Sequence, residues 1–176
     1  MLERLWSGWR AAYVHGLSGD LSDVGEGSVF TRILASGLDD TETNIVHRGA
    51  TCFAILNTYP YSTGHVLVLP LREVPDLEDL RPDEFAELWS TVTDAVVAIK
   101  RAYAPEGINV GINLGRPAGG SISEHLHVHV VPRWIGDSNF MTAVANTRTL
   151  PEALIDTAAR LRAAWPDGCP DGCEAS

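Results

Sequence analysis

The 176-residue sequence is short of cysteine, of positive charge and of long apolar runs, and each shortage removes a class of protein. Three cysteines are too few and too scattered to staple a chain of this length, so burial rather than disulfide bonding must hold the core. Cys52 lies in an apolar run and reads as core. Cys169 and Cys173 sit in a Pro/Gly/Asp segment without neighbouring histidines, which reads as a disordered tail. Thirteen Lys and Arg against 23 Asp and Glu give a net charge of −10, the opposite of a nucleic-acid binder or a partner for an anionic membrane. The longest aliphatic stretch, Val66 to Leu71, is interrupted by Pro70 and is far too short to cross a bilayer. Met1 to Arg10 carries no charged-then-apolar leader, so a cytoplasmic location is expected. No internal repeat is present. The length suits one domain, with an arm and flexible linker over 1–28, the folded domain over 29–165 and a disordered tail over 166–176.

What the sequence does have is Glu124-His125-Leu126-His127-Val128-His129-Val130-Val131-Pro132. Alternation at period two belongs to a β-strand, whose successive side chains point to opposite faces. His125, His127 and His129 therefore share one face, and Leu126, Val128 and Val130 share the other, against a core. Neutral imidazoles on one face suit either a transition metal or nucleophilic and acid–base work. A metal at His125 and His129 would need a third ligand from elsewhere. Just upstream, Gly111 to Ser123 is rich in small residues whose amides can converge on an anion, with Asn113 and Ser121 adding side-chain donors. An anion cradle leading into a histidine strand points to phosphoryl or nucleotidyl chemistry.

The remaining pattern is that of an α+β domain. Leu5 to Tyr13 is a short aromatic segment able to dock on the body or on a partner. A short helix is expected from Val29. Ile45–Gly49 and Thr51–Leu56 read as strands around a glycine turn, followed by a strand from His65 to Leu69. Pro82 opens a long helix whose apolar face is Phe85, Leu88, Trp89, Val92, Val96, Ile99 and Tyr103, expected to pack on the sheet with its aromatics in the core. Ile108–Leu114 and His125–Val131 supply the last strands, and Pro151–Trp165 a terminal helix. His15 and His47 lack patterned neighbours and read as surface residues.

His125-Leu-His127-Val-His129-Val-Val resembles the histidine-triad pattern of the HIT superfamily of nucleotide hydrolases and transferases. The likeness continues through Asn57 to Pro70, similar to the family's strand–turn–strand segment. It extends through Pro132 to Phe140, similar to its actinobacterial diadenosine tetraphosphate phosphorylase branch, and overall runs from about Leu5 to Trp165. The resemblance implies a five-stranded antiparallel sheet with packed helices, paired into a homodimer or higher homo-oligomer. It implies a nucleotide substrate and inorganic phosphate as partners. His127 would be the nucleophile and His129 would touch phosphate oxygens or the leaving group, while His125 and His65 would support them. Asn113, Gly119, Gly120 and Ser121 would hold the α-phosphate, and Asn57 the ribose; as a plain alternative, Asn57 is a turn former.

Two departures from the family pattern stand out. Phosphorylases of another branch carry glutamine where this chain has His129, which by motif alone implies a hydrolase; the longer match implies a phosphorylase. A non-catalytic nucleotide-binding module is the reading from a different class. Many bacterial relatives bind structural zinc through a Cys-x-x-Cys, a further histidine and the first triad histidine. Here Ser28, Thr31 and Glu73 occupy those positions, so neither metal nor cofactor is expected.

Overall fold

The computed structural model describes residues 26–119, 122–137 and 152–166. Helix α1 (Val29–Ala35) follows the N-cap Ser28, and the single-turn α2 (Asp40–Thr43) ends at Asn44 in the left-handed conformation. Strands β1 (Ile45–Arg48), β2 (Cys52–Leu56) and β3 (Val66–Pro70) follow as consecutive antiparallel neighbours. The long helix α3 (Pro82–Tyr103) leads to β4 (Gly107–Ile112) and β5 (Val128–Arg133), and α4 (Leu154–Ala164) closes the described chain. The sheet order is β1-β2-β3-β5-β4, so the last strand is inserted between β3 and β4 and β4 lies at an edge.

Strand periodicity divides the core into two layers. Ala54, Leu56, Val66, Val68, Val128 and Val130 meet the buried faces of α3 and α4. Phe53, Ile55, Leu67 and Leu69 point the other way, where Phe30 of α1 covers them. Every residue of β2 and β3 is buried, as expected of strands covered on both faces. Cys52 is in this core, donating its thiol toward the Glu84 carbonyl at 3.6 Å, and burial pushes its pKa up to about 11.

Two expectations need correction. In α3 the buried stripe is Glu84, Leu88, Thr91, Val92, Ala95, Ala98 and Ile99, while Phe85 and Trp89 are 47% and 37% exposed. The alanines let the helix approach the sheet closely, and the two aromatics, one residue off the stripe, fall on its flank with their rings edge to face. Glu84 is buried because Arg72 and Arg81 both pair with it; the Arg72 hydrogen bonds pull its carboxyl down to about 2. The second correction concerns the histidine strand. Its ladder begins at Val128, opposite Val68 and Ile112, although β3 itself runs on to Pro70 in its pairing with β2. His125 and His127 precede it in an irregular segment held by a 2.6 Å bond from the Leu126 N–H to the Val74 carbonyl. The alternation of faces survives, with Leu126 still in the helix-side core.

Candidate active site

The β2–β3 turn sets the first histidine. Asn57 Oδ1 accepts the Tyr59 N–H at 3.0 Å, a turn-forming bond, and Asn57 Nδ2 lies 3.4 Å from His65 Nδ1. Ser62 donates its hydroxyl to the Pro132 carbonyl at 2.6 Å, which fastens the turn to β5. Gly64 follows at φ 82°, where an added Cβ would meet the Tyr103 ring at 3.1 Å, so glycine is required on both counts.

Hydrogen-bond partners assign the tautomers of all four imidazoles. The Tyr61 N–H donates to His65 Nδ1 at 3.1 Å, so His65 carries its proton on Nε2 and donates it to His129 Nδ1 at 3.0 Å. His129 is therefore protonated on Nε2, and the Asn113 amide, whose Nδ2 stands 3.4 Å away, must turn its oxygen to that proton to accept it. His127 donates Nδ1–H to the His125 carbonyl at 2.8 Å, which leaves Nε2 with a free lone pair for attack. His125 donates Nε2–H to the Pro70 carbonyl at 2.8 Å, and its Nδ1 accepts the Ser28 hydroxyl at 2.8 Å.

Burial lowers the pKa of each triad ring. For His125 burial outweighs the opposing Pro70 hydrogen bond, and for His127 it outweighs the bond to the His125 carbonyl. His129 falls to about 4, through burial and then through His127, whose ring centroid is 4.9 Å away. All three are neutral at pH 7, the state a nitrogen nucleophile needs. Phe30 of α1 packs against the His125 and His127 rings at centroid distances of 5.6 and 5.8 Å and keeps water from their far side.

An open cleft of about 400 Å³ runs from His129 along β4 and β5, lined by Tyr61, Gly111, Asn113, Val131 and Arg133. Gly111 faces His129 in register, and a Cβ there would meet nothing within 4 Å, so the floor beside the triad is open. Arg133 is not a free cation: its guanidinium pairs with both oxygens of Asp137 at 2.6 and 2.8 Å and with Asn109 at 2.8 Å. Gly119 closes a short 3-10 turn at φ 102° and donates its N–H to the Arg116 carbonyl at 3.1 Å. Gly120 and Ser121 lie outside the described residues, as do Cys169 and Cys173. The structure thus joins His65, Asn57, His129 and Asn113 in one contact chain and His125 and His127 in a second, with the rings of His127 and His129 side by side.

A cluster beyond these residues completes the site. Glu73 Oε2 accepts the Ser28 N–H at 2.7 Å and the Thr31 hydroxyl at 2.6 Å, and Ser28 Oγ accepts the Thr31 N–H at 3.2 Å. Burial opposes the Glu73 charge, but these donors outweigh it and hold the carboxyl below its usual range. The sequence singled out the three positions only for the thiolate and imidazole ligands they lack. A serine three residues before a threonine at a helix start was the available signal for the cap; nothing local ties it to Glu73. The cluster does not fit zinc, because two neutral hydroxyls replace thiolates and every group already bonds within the cluster. Among the described residues no group of three His, Cys, Asp or Glu is arranged to hold a metal ion.

Comparison with known proteins places this geometry. The chain is 44% identical over 167 residues to AP-4-A phosphorylase of Mycobacterium tuberculosis, spanning 93% of this chain and 85% of the relative. It is 36% identical over 91 residues to an asymmetrical bis(5'-nucleosyl)-tetraphosphatase of Schizosaccharomyces pombe, spanning 52% of this chain and 50% of the relative. Among solved structures, a zinc-bound histidine triad family protein of Mycobacterium smegmatis superposes with a TM-score of 0.64 at 28% identity, covering 78% of this chain and 92% of that one. The HIT domain family model matches residues 39–134, and with the triad, the five-stranded sheet and these relatives the chain belongs to the HIT family.

Proposed function

We propose that the protein is a nucleotidyltransferase that cleaves diadenosine tetraphosphate with inorganic phosphate to ADP and ATP. The observation that carries this reading is the neutral His127, held with Nε2 unprotonated by its bond to the His125 carbonyl, beside a hydrogen-donating His129. In the first step Nε2 attacks the α-phosphorus, an N–P bond forms, the α–β bridging P–O bond breaks, and ATP leaves with the bond's electron pair. ATP is a stable anion, so His129 Nε2–H has only to donate a hydrogen bond to it and no proton transfer is needed. In the second step a phosphate oxygen attacks the adenylyl-histidine, the N–P bond breaks, and ADP leaves with His127 restored. The cleft beside His129 and Gly111 gives leaving group and acceptor a path on the same face. Following the family resemblance, Asn57 is assigned to the ribose and Gly120 and Ser121 to the α-phosphate, whereas Gly119 gives its N–H to the Arg116 carbonyl. Because Arg133 is paired with Asp137, donors for the acceptor phosphate are assigned to Gly120, Ser121 and Asn113 rather than to that cation.

Histidine at position 129 favours a second reading, a hydrolase in which water replaces phosphate and AMP replaces ADP. Both share the first step. A homodimer also belongs to the proposal: among the described residues β4 is an edge strand, and its Val110 is 45% exposed, an apolar edge suited to a second copy.

Mixing enzyme with substrate in phosphate-free reactions quenched with alkaline denaturant, which preserves the N–P bond, and weighing the intact protein tests the shared step. Wild type is expected to carry one adenylyl group on His127, and His127→Ala none, with turnover reduced by roughly ten-thousand-fold. An adduct on another residue, or His127→Ala keeping a tenth of the activity, would overturn it.

A further inference from the structure

We infer that Glu73, Thr31 and Ser28 form a clasp that positions His125 and, through its carbonyl, the nucleophile His127; this rests on the assignment of His127 as nucleophile. The direction of the hydrogen bonds carries the argument. The chain ends at two groups that can only accept, the Pro70 carbonyl and the Glu73 carboxylate. His125 must give Nε2–H to Pro70, so its fully buried Nδ1 needs a donor, and Ser28 Oγ supplies one at 2.8 Å. Thr31 must give its hydroxyl proton to Glu73 at 2.6 Å and so cannot compete for the same nitrogen.

A serine serving only as helix cap would spend its oxygen on the Thr31 N–H. Here that contact is 3.2 Å, and the hydroxyl proton goes at shorter range to the imidazole 97 residues away. The Ser28 N–H, which a cap leaves unused, is taken by Glu73 at 2.7 Å. With both nitrogens anchored the His125 ring cannot rotate, which fixes the peptide whose carbonyl receives His127 Nδ1–H. Loosening the clasp lets His127 move its proton to Nε2, the tautomer without a lone pair for phosphorus. A hydrogen-bonded set of this kind does by fixed direction what an outer partner does for a metal-bound imidazole.

The test uses Ser28→Ala, Thr31→Val and Thr31→Ser in the full chain. It reads the imidazole ¹⁵N shifts of His125 and His127 and the single-turnover rate of His127 adenylylation, with melting curves to establish folding. Ser28→Ala is expected to mix the His127 tautomers and slow adenylylation about 10- to 100-fold while KM stays within about threefold. Thr31→Val should slow it in the same sense, and Thr31→Ser, which keeps the hydroxyl, should regain most of the rate. A folded Ser28→Ala protein with wild-type tautomer and rate overturns the inference. If Ser28→Ala does not fold, equal rates in Thr31→Val and Thr31→Ser overturn it, as does stoichiometric zinc in the purified wild-type protein. Absence of any adduct on wild-type His127 would instead refute the proposed reaction, and the ring shifts would still report on the clasp.

Discussion

Exchanging His129 for glutamine removes a proton-binding group whose ionisation folding suppresses. Its Nδ1 already accepts the His65 proton, so a charged His129 would place two donors face to face in a half-buried site. Burial and the neighbouring His127 hold its pKa near 4, against 6.5 for the free side chain. As the pH drops below 6.5 the unfolded chain takes a proton on this ring and the folded chain does not until about 4. The contribution to stability is therefore complete above 6.5 and is lost progressively between 6.5 and 4. At pH 5 the unfolded ring is almost all charged and the folded ring almost all neutral, which makes the loss relative to pH 7 about 2 kcal/mol. Glutamine keeps an acceptor for His65 and cannot titrate. Urea unfolding of wild type and His129→Gln at pH 7 and pH 5 isolates the difference: wild type should lose about 2 kcal/mol more than the variant on acidification. Equal losses in the two proteins would show that His129 is not held neutral by the fold and would refute the electrostatic picture of the triad.

Phe30→Ala opens a cavity against the histidine face and should lower unfolding free energy by about 3 kcal/mol, measured by urea titration; a change under about 0.5 kcal/mol would mean that α1 does not seal the site. Val110→Asp places a charge on the exposed β4 edge and should halve the solution mass measured by light scattering, with the monomer fold intact by circular dichroism. An unchanged mass would remove β4 from any self-association.

The alternation of His125, Leu126, His127, Val128 and His129 made the chemical face readable, because strand period is a local property that survives even where the ladder has not begun. Where the ladder starts was not readable, since that depends on which β3 residue Val128 meets, and Val68 is far off in sequence. The buried stripe of α3 was misplaced because large side chains dominate a hydrophobic pattern. Close approach to the sheet instead selects Thr91, Ala95 and Ala98 and leaves Phe85 and Trp89 on the flank. Asn57 as a turn former was legible from its place before Tyr59-Pro60, and the Asn57–Tyr59 bond is present. The tautomer assignments were beyond sequence altogether: the Tyr61 amide and the Pro70 and His125 carbonyls are backbone groups that any residue type could supply. The clasp joins residues 42, 45 and 97 positions apart, and only the packing of α1 on the histidine face brings them together.

The choice of acceptor is the centre of the account, and chromatographic product analysis of diadenosine tetraphosphate breakdown, with and without inorganic phosphate, tests it most directly. Phosphate-dependent breakdown to equal ADP and ATP is predicted. AMP and ATP released at the same rate in phosphate-free buffer would contradict the phosphorylase reading and make water the acceptor.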